Sequence, residues 1–188
     1  ESSEKNPQSV YGRTKLAAEN EIIKNLKAYH TYHILEPVMI YGEENKGNLP
    51  KLYNFLAKGF PYPFSNWKNN RSILAIQNLS FIISEFIKKD LESDFYIVAD
   101  DTPISTKEII EELFDANNKA FVRFYLPKFF IQLLINLSSK MGIKSLEKLL
   151  GNLVVSNDKL KRAINTRVLP HSVQSGLQLM GKCLANKK

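Results

Sequence analysis

A tyrosine and a lysine four positions apart stand at the start of an amphipathic segment near the N-terminus. Tyr11 and Lys15 are one helical turn apart, so both side chains project from the same side of a helix. A phenol, with a pKa of about 10, is a poor base at neutral pH unless a nearby cation stabilises the phenolate. Lys15 is placed to do so, and its ammonium group is able to donate to ribose hydroxyls. Such a pair is able to exchange a proton with a substrate hydroxyl or carbonyl beside a nicotinamide cofactor. The alternative is an ordinary surface helix, since tyrosine and lysine often occur at this spacing.

Arg71 is the candidate for binding a phosphate group. A planar guanidinium holds two phosphate oxygens at once, which an ammonium group does not do. The alternative is a surface arginine beside a turn. The apolar run from Ser72 to Ile76, which predicts a strand directly after Arg71, favours the phosphate-binding interpretation.

Asp100 and Asp101 are adjacent carboxylates, and acid–base catalysis is the first hypothesis for such a pair. Neighbouring residues of a strand or loop point in different directions, and acidic residues before a helix commonly interact with its positive end. We therefore favour a structural role for both residues. A metal site is not predicted, because the histidines have no spacing shared with carboxylates or with the single cysteine, Cys183.

The elements that would position these residues alternate between helical and extended patterns, which predicts an α/β fold. We expect the 188 residues, 44% of them hydrophobic, to form one domain. Ser105 and Glu108 have the spacing of a capping box, and Asn157 is a candidate helix cap. Helices are predicted at residues 12–28, 49–56, 81–87, 109–114, 128–140 and 159–164, and strands at residues 32–35, 38–41, 72–76, 95–98 and 121–127.

Charge and composition exclude several classes of protein. Residues 138–188, the tail, contain ten Lys or Arg and two acidic residues, whereas residues 1–137 have a net charge of −1. The positive net charge of the chain, +7, therefore comes from the tail. One cysteine excludes a disulfide framework, and no apolar run approaches the ~20 residues of a membrane-spanning helix. No nucleic-acid-binding motif is present, and the polar start of the chain does not resemble a secretory signal. We expect a cytoplasmic protein that does not bind nucleic acid.

The stretch Ser9–Glu19 resembles the active-site helix of the extended short-chain dehydrogenase/reductase superfamily, within the nucleotide-sugar epimerase and dehydratase group. Further segments that resemble this family follow in the family's order, at residues 34–42, 48–52, 60–64, 70–79, 105–106 and 151–155. The resemblance covers most of the chain and is greatest to bacterial UDP-sugar 4-epimerases and 4-ketoreductases. It implies the C-terminal part of a Rossmann-like doubly wound fold together with the small substrate-binding α/β subdomain.

The same resemblance implies a role for each candidate residue. Tyr11 would be the catalytic acid/base and would contact the cofactor together with Lys15. Pro37 and Val38 would lie near the nicotinamide of NAD or NADP. The nucleotide end of a UDP-sugar substrate would be lined by Asn48, Leu49, Phe64 and Arg71. A homodimer is implied for the full-length protein.

Several positions depart from the family pattern. Glu36 and Gln77 replace residues common in relatives, and the Leu-Gly-Trp sequence often found near the end of the family is absent after Ile164. These residues also contain no G-x-x-G-x-x-G turn, which lets a pyrophosphate approach the backbone at a helix N-terminus. We therefore expect the chain to bind dinucleotide poorly and to be inactive alone, either as a fragment or with its partner half supplied separately.

Two functions remain open from the sequence. The first is NAD(P)-dependent epimerisation or keto-reduction at C4 of a UDP-linked sugar, in the synthesis of precursors for O-antigen or capsule. The second is a non-catalytic module in which the basic tail, beside the apolar segment at residues 121–137, docks on an anionic membrane surface or a partner enzyme.

Overall fold

The computed structural model describes residues 6–7, 9–26, 30–140 and 149–186. Its elements alternate as predicted for an α/β protein. The helices are α1 (Val10–Asn25), α2 (Asn48–Ala57), α3 (Ile76–Lys88), α4 (Thr106–Asp115), α5 (Lys128–Lys140), α6 (Asp158–Ala163) and α7 (Val173–Asn186). The strands are β1 (His33–Pro37), β2 (Met39–Tyr41), β3 (Ile73–Ala75) and β4 (Asp94–Val98).

One stretch of backbone forms β1 and β2, and each of them has a parallel partner. β1 pairs with β4 and ends at Pro37 opposite Val98. β2 pairs with β3, starting from Met39 opposite Ile73. The change of partner falls at Val38, whose N–H donates to the carbonyl of Val98 at 3.1 Å. Because the pairing is parallel, the strand ends that lead into loops and helices meet at the same edge.

One face of β2 and β3 is covered by α2, α4 and α7. Ile73 and Ala75 point toward this side, where they join one apolar cluster with the helices. Gly176 of α7 lies close to β2, since a Cβ atom there would come within 2.7 Å of the Tyr41 hydroxyl oxygen. The helices contribute Leu49, Tyr53, Leu56, Ile109, Ile110, Leu113, Phe114, Val173, Leu177, Met180 and Leu184.

The opposite face is covered by α3 and α6. Leu74, which lies between Ile73 and Ala75 in β3, points to this second cluster because successive strand residues face opposite sides. Burial of each such aliphatic side chain stabilises the fold by about 1.5–3 kcal/mol. The cluster also contains Ile82, Phe86, Tyr96, Val98, Leu160, Ile164 and Leu169.

The structure departs from the predicted elements in four places. Residues 121–127 make isolated bridges through Arg123 and Tyr125 instead of a regular strand. Asn157 occupies the N-cap position of α6, but its side chain makes no capping hydrogen bond. Its side-chain Nδ2 donates to the carbonyl of Ala99. Helix α1 ends at Asn25, and residues 27 and 28 of the predicted helix lie outside the described residues. Helix α7 was not predicted at all.

Within the described part of the chain, no helix combines the length and apolar character needed to cross a bilayer.

Candidate functional site

Helix α1 presents the predicted catalytic pair on an open surface. Ser9 caps the helix by accepting a hydrogen bond from the Gly12 N–H at 3.0 Å, which fixes the first turn where Tyr11 lies. The Lys15 ammonium lies 5.6 Å from the centre of the Tyr11 ring. Tyr11 is 73% exposed, and a cavity of about 300 Å³ beside Lys15 is bordered by Pro7. The structure therefore brings the two side chains together and leaves both accessible to a ligand.

Arg71 lies at a junction of three backbone segments. Its N–H donates to the carbonyl of Ile104 at 2.9 Å, and it also forms a bridge with Leu153. The guanidinium donates one hydrogen bond, from Nη1 to the carbonyl of Gly151 at 2.9 Å. Burial lowers the pKa of this group, and no carboxylate among the described residues forms an ion pair with it. A buried cation whose remaining donors have no carboxylate partner among the described residues is suited to binding phosphate.

The other predicted nucleotide-binding residues divide between surface and core. Asn48 is exposed at the first position of α2, whereas the side chain of Leu49 is 4% exposed and belongs to the core. Leu49 is thus able to offer a ligand only its main chain, through the free N–H groups of the first helical turn. Phe64 is half-buried and packs edge-on against Tyr62, with 5.8 Å between ring centres.

Pro37 and Val38 form the point at which the backbone changes strand partner. Pro37 is exposed and Val38 is partly buried against the second apolar cluster. Neither residue borders the cavities described here. Their placement near a nicotinamide stays a prediction.

A further cavity, of about 450 Å³, lies where β2 and β3 end, at the edge to which parallel α/β sheets direct their ligands. Any side chain in place of Gly42 would displace Ile76, because a Cβ atom would come within 2.4 Å of its Cγ2. Gln77 borders the cavity, and its buried Oε1 has no hydrogen-bond partner among the described residues. The sequence had marked Gln77 only as a departure from the family. The signal for this cavity was the Gly42 turn directly after a strand.

Asp100 has the structural role that the sequence favoured, although it does not act on a helix N-terminus. Its carboxylate accepts hydrogen bonds from the N–H of Ala75, from Asn78 Nδ2 at 2.8 Å and from the Tyr41 hydroxyl at 3.0 Å. Burial raises the pKa of Asp100, against the lowering effect of these hydrogen bonds. Asn78 extends the network to the main chain of His171. The carboxylate therefore joins β2, β3, α3 and the segment before α7.

Asp101 is held by a separate network. Burial opposes ionisation, but hydrogen bonds from the Leu169 N–H, Lys161 and Asn157 lower the pKa of Asp101 below its usual range. Neither carboxylate caps α4. Ser105 does so through the predicted capping box with Glu108, which the structure confirms.

The basic tail is in part neutralised inside the fold. Lys159 pairs with Asp94 at 2.7 Å and Lys161 with Asp101 at 3.0 Å. Residues 141–148, 187 and 188 of the tail lie outside the described residues. The pairs that are described attach α6 to β4 and to the loop after it, so these two lysines serve the fold.

The chain matches no protein-family model and no curated protein, and its likeness to known proteins is structural. UDP-N-acetylglucosamine 4-epimerase from Bacillus cereus superimposes with a TM-score of 0.70 and 12% identity, over 98% of this chain and 57% of that one. UDP-glucuronic acid 4-epimerase from Bacillus cereus, solved with NAD, superimposes with a TM-score of 0.71 and 16% identity, over 96% of this chain and 54% of that one. dTDP-4-dehydrorhamnose reductase from Bacillus anthracis str. Ames, solved with NADP, has a TM-score of 0.64 and 17% identity, over 97% of this chain and 57% of that one.

These superpositions confirm the predicted fold. The chain has the fold of the C-terminal part of Rossmann-like sugar-nucleotide epimerases and reductases, and it spans little more than half the length of these proteins. Epimerases and a reductase share this fold. The fold therefore defines a class of protein but does not distinguish between their reactions.

Proposed function

We propose that this chain is the catalytic-helix and substrate-binding part of an NAD(P)-dependent enzyme that epimerises or reduces at C4 of a UDP-linked sugar. The observation that carries the proposal is the Tyr11–Lys15 pair, exposed on one side of a capped helix. Support comes from the fold, since the solved proteins that share it are named as epimerases or reductases of sugar nucleotides.

In the proposed reaction, the Tyr11 phenol exchanges a proton with the oxygen on C4 of the sugar. The Lys15 ammonium places a positive charge on the same side of the helix as the phenol during this transfer. A bound nicotinamide cofactor supplies the hydride chemistry. Lys15 is also the residue that would hold the cofactor's ribose, because its exposed ammonium group borders an open cavity. The exposed phenol and ammonium group therefore fit this cofactor.

Arg71 holds the pyrophosphate of the sugar nucleotide in this proposal. The guanidinium has one backbone partner, the carbonyl of Gly151, which orients its plane and leaves further N–H groups for phosphate oxygens. Asn48 and the first N–H groups of α2 contribute at the nucleotide end, and Phe64 offers an aromatic edge.

The wider setting is also a proposal. The enzyme would act in the cytoplasm on precursors of surface polysaccharide, as a homodimer, with the pyrophosphate of the cofactor bound by a glycine-rich half that these 188 residues do not contain. The chain alone would then be inactive. In the competing hypothesis the basic tail makes the chain a non-catalytic docking module. The internal ion pairs of Lys159 and Lys161 weaken the part of that hypothesis that depends on the tail.

The test is calorimetric titration of the chain with UDP, UDP-N-acetylglucosamine and NAD. We expect UDP and the UDP-sugar to bind and NAD to bind weakly or not at all. Arg71→Ala should weaken UDP binding about 10- to 100-fold, since a charge-assisted hydrogen-bonded contact contributes about 1.5–3 kcal/mol. Arg167→Ala, which removes an exposed arginine of the tail, is the matched control and should bind UDP as the unaltered chain does.

Equal UDP affinity in the chain and in Arg71→Ala would remove Arg71 from the nucleotide site. Failure of the correctly folded chain to bind either UDP ligand would count against the substrate-binding role as a whole.

A further inference from the structure

Helix α5 exposes an apolar face where a helix at the surface normally shows polar residues. Its buried contact with the rest of the fold is Ile131, which is fully buried, and Ile135 is partly buried on the same side. The helix is therefore docked on the protein through one face, and its outer face is free to contact something else. The exposed apolar residues of α5 are Phe129, Phe130, Leu133, Leu134 and Leu137.

These five side chains form one continuous stripe. Their spacing places them within about 140° of the helix circumference, at 100° per residue, and roughly opposite Ile131. Gln132 and Asn136 lie beside the stripe and are hydrogen bonded to each other at 3.1 Å. The polar edge of α5 is thus narrow, and the face directed away from the protein is the apolar one.

The segment directly before α5 also exposes apolar side chains. Residues 121–126 run beside residues 62–66, held by hydrogen bonds such as Phe124 N–H to the Tyr62 carbonyl at 2.9 Å. Val122, Phe124 and Tyr125 are exposed along it. We name the surface formed by these three residues and the five of α5 the aromatic face. Exposed apolar surface of this extent on a folded protein marks a site of interaction.

The charges around the aromatic face indicate what it binds. Residues 116–137 contain three basic residues and no acidic residue, although the whole chain has 19 acidic residues. Arg123 is paired with Glu111 at 3.1 Å, but Lys119 and Lys128 are exposed, one before the face and one at the start of α5. The electrostatic complement of this surface is an anionic one.

We propose that the aromatic face binds the surface of an anionic lipid bilayer. A helix of 13 residues is about 20 Å long, too short to span a bilayer, but it suits lying in the plane of the interface with its apolar side inserted. The exposed lysines of the same stretch of chain, Lys119 and Lys128, add attraction to anionic headgroups. A second copy of the chain is a poorer occupant, because a two-fold interface would bring the exposed lysines of both copies close to each other.

The experiment is co-sedimentation of the chain with vesicles of phosphatidylcholine, with and without phosphatidylglycerol. We expect binding to the anionic vesicles that weakens as salt is raised. The triple variant Phe129→Gln/Leu133→Gln/Leu137→Gln should reduce the partition coefficient at least about tenfold, because it removes the inserting groups. Ile87→Gln is the matched control: Ile87 is an apolar residue of α3, 80% exposed, and its loss should leave binding unchanged.

A charge variant separates the two contributions. Lys119→Glu/Lys128→Glu should lower binding to anionic vesicles and leave the weak binding to phosphatidylcholine unaltered. Because all substituted side chains are exposed, thermal melts of the variants should match that of the unaltered chain.

The proposal is overturned if the chain does not sediment with anionic vesicles, or if the triple variant binds them as the unaltered chain does. It is also overturned if light scattering shows a dimer that the triple variant converts to a monomer, since the occupant of the face would then be a second copy.

Discussion

At the scale of single residues, Asp100 and Asp101 show how neighbours in sequence come to have opposite ionisation behaviour. Asp100 is almost fully buried and bonded to neutral donors, so burial raises its pKa. Asp101 is half-buried and bonded to the Lys161 ammonium, and its pKa is lowered in spite of burial. The two adjacent residues thus differ in their partners: Asp100 is bonded to neutral donors, and Asp101 forms an ion pair.

We predict that Asp100→Asn and Asp101→Asn change stability with opposite dependence on pH. The folded-state pKa of Asp100 is raised, so its contribution to stability is full below the unfolded-state pKa and is lost as pH rises through the folded value. The cost of Asp100→Asn should therefore shrink from acid toward neutral pH. The folded-state pKa of Asp101 is lowered, so its contribution is present above the unfolded-state pKa and is lost as pH falls. The cost of Asp101→Asn should grow toward neutral pH.

Urea unfolding of both variants and the unaltered chain at a series of pH values measures these differences in free energy. Costs that change with pH in the same direction for both variants would contradict the assignment.

At the scale of elements, α7 decides how closely the helical layer approaches the sheet. Its inner face contains two glycines, each used where a neighbour leaves no room for a side chain. Gly176 faces the Tyr41 ring, and Gly181 faces α4, where a Cβ atom would come within 2.6 Å of the Leu113 carbonyl oxygen. Asn117 donates to the Gly181 carbonyl at 2.8 Å and fixes the same contact.

We predict that Gly181→Ala destabilises the chain by about 1–3 kcal/mol, because α4 must move to accommodate the methyl group. The direction of the change in stability is decisive, since a glycine-to-alanine substitution in an unobstructed helix stabilises a protein by up to about 1 kcal/mol. Gln174→Ala, on the exposed side of α7, is the control and should be close to neutral. Chemical denaturation measures both, and a Gly181→Ala variant that is more stable than the unaltered chain would contradict the close packing of α4 and α7.

At the scale of the whole molecule, packing is uneven between α1 and the rest. Helix α1 buries none of its side chains, and it exposes Val10, Ile22 and Ile23 as well as Tyr11. Strand β3, by contrast, is fully buried between two layers of helices. The proposed catalytic pair thus lies on the least packed described helix, which suits a helix that another part of the enzyme covers.

We predict that the amide groups of α1 exchange with solvent at least about a hundredfold faster than those of β3. Helix α4 is the matched control, because it is capped in the same way by a serine but buries Ile109, Ile110 and Leu113. Its amides should be protected nearly as well as those of the sheet. Hydrogen–deuterium exchange with mass spectrometry measures all three segments. Equal protection of α1 and α4 would show that α1 is held by contacts other than side-chain burial.

Local chemistry was enough to predict the elements and their alternation. The helical spacing of the α1, α2 and α3 residues, the capping box at Ser105 and the apolar strand runs are short-range patterns, and they predicted an α/β fold that the structure confirms. The order of family-like segments likewise predicted the C-terminal part of a sugar-nucleotide enzyme fold, and solved structures superimpose over nearly the whole chain.

What depends on distant contacts was decided only by the tertiary structure. Residues 121–127 have a strand pattern but make only isolated bridges, mainly with the segment around Tyr62, because a strand needs a partner and not only a propensity. Asn157 is at the predicted N-cap position but makes no capping hydrogen bond, and its Nδ2 donates to the carbonyl of Ala99, far along the chain. Leu49 resembled a ligand contact and proved to be core. The exposure of α5's apolar face also follows from three dimensions, since periodicity shows which residues share a face but not whether the protein covers it.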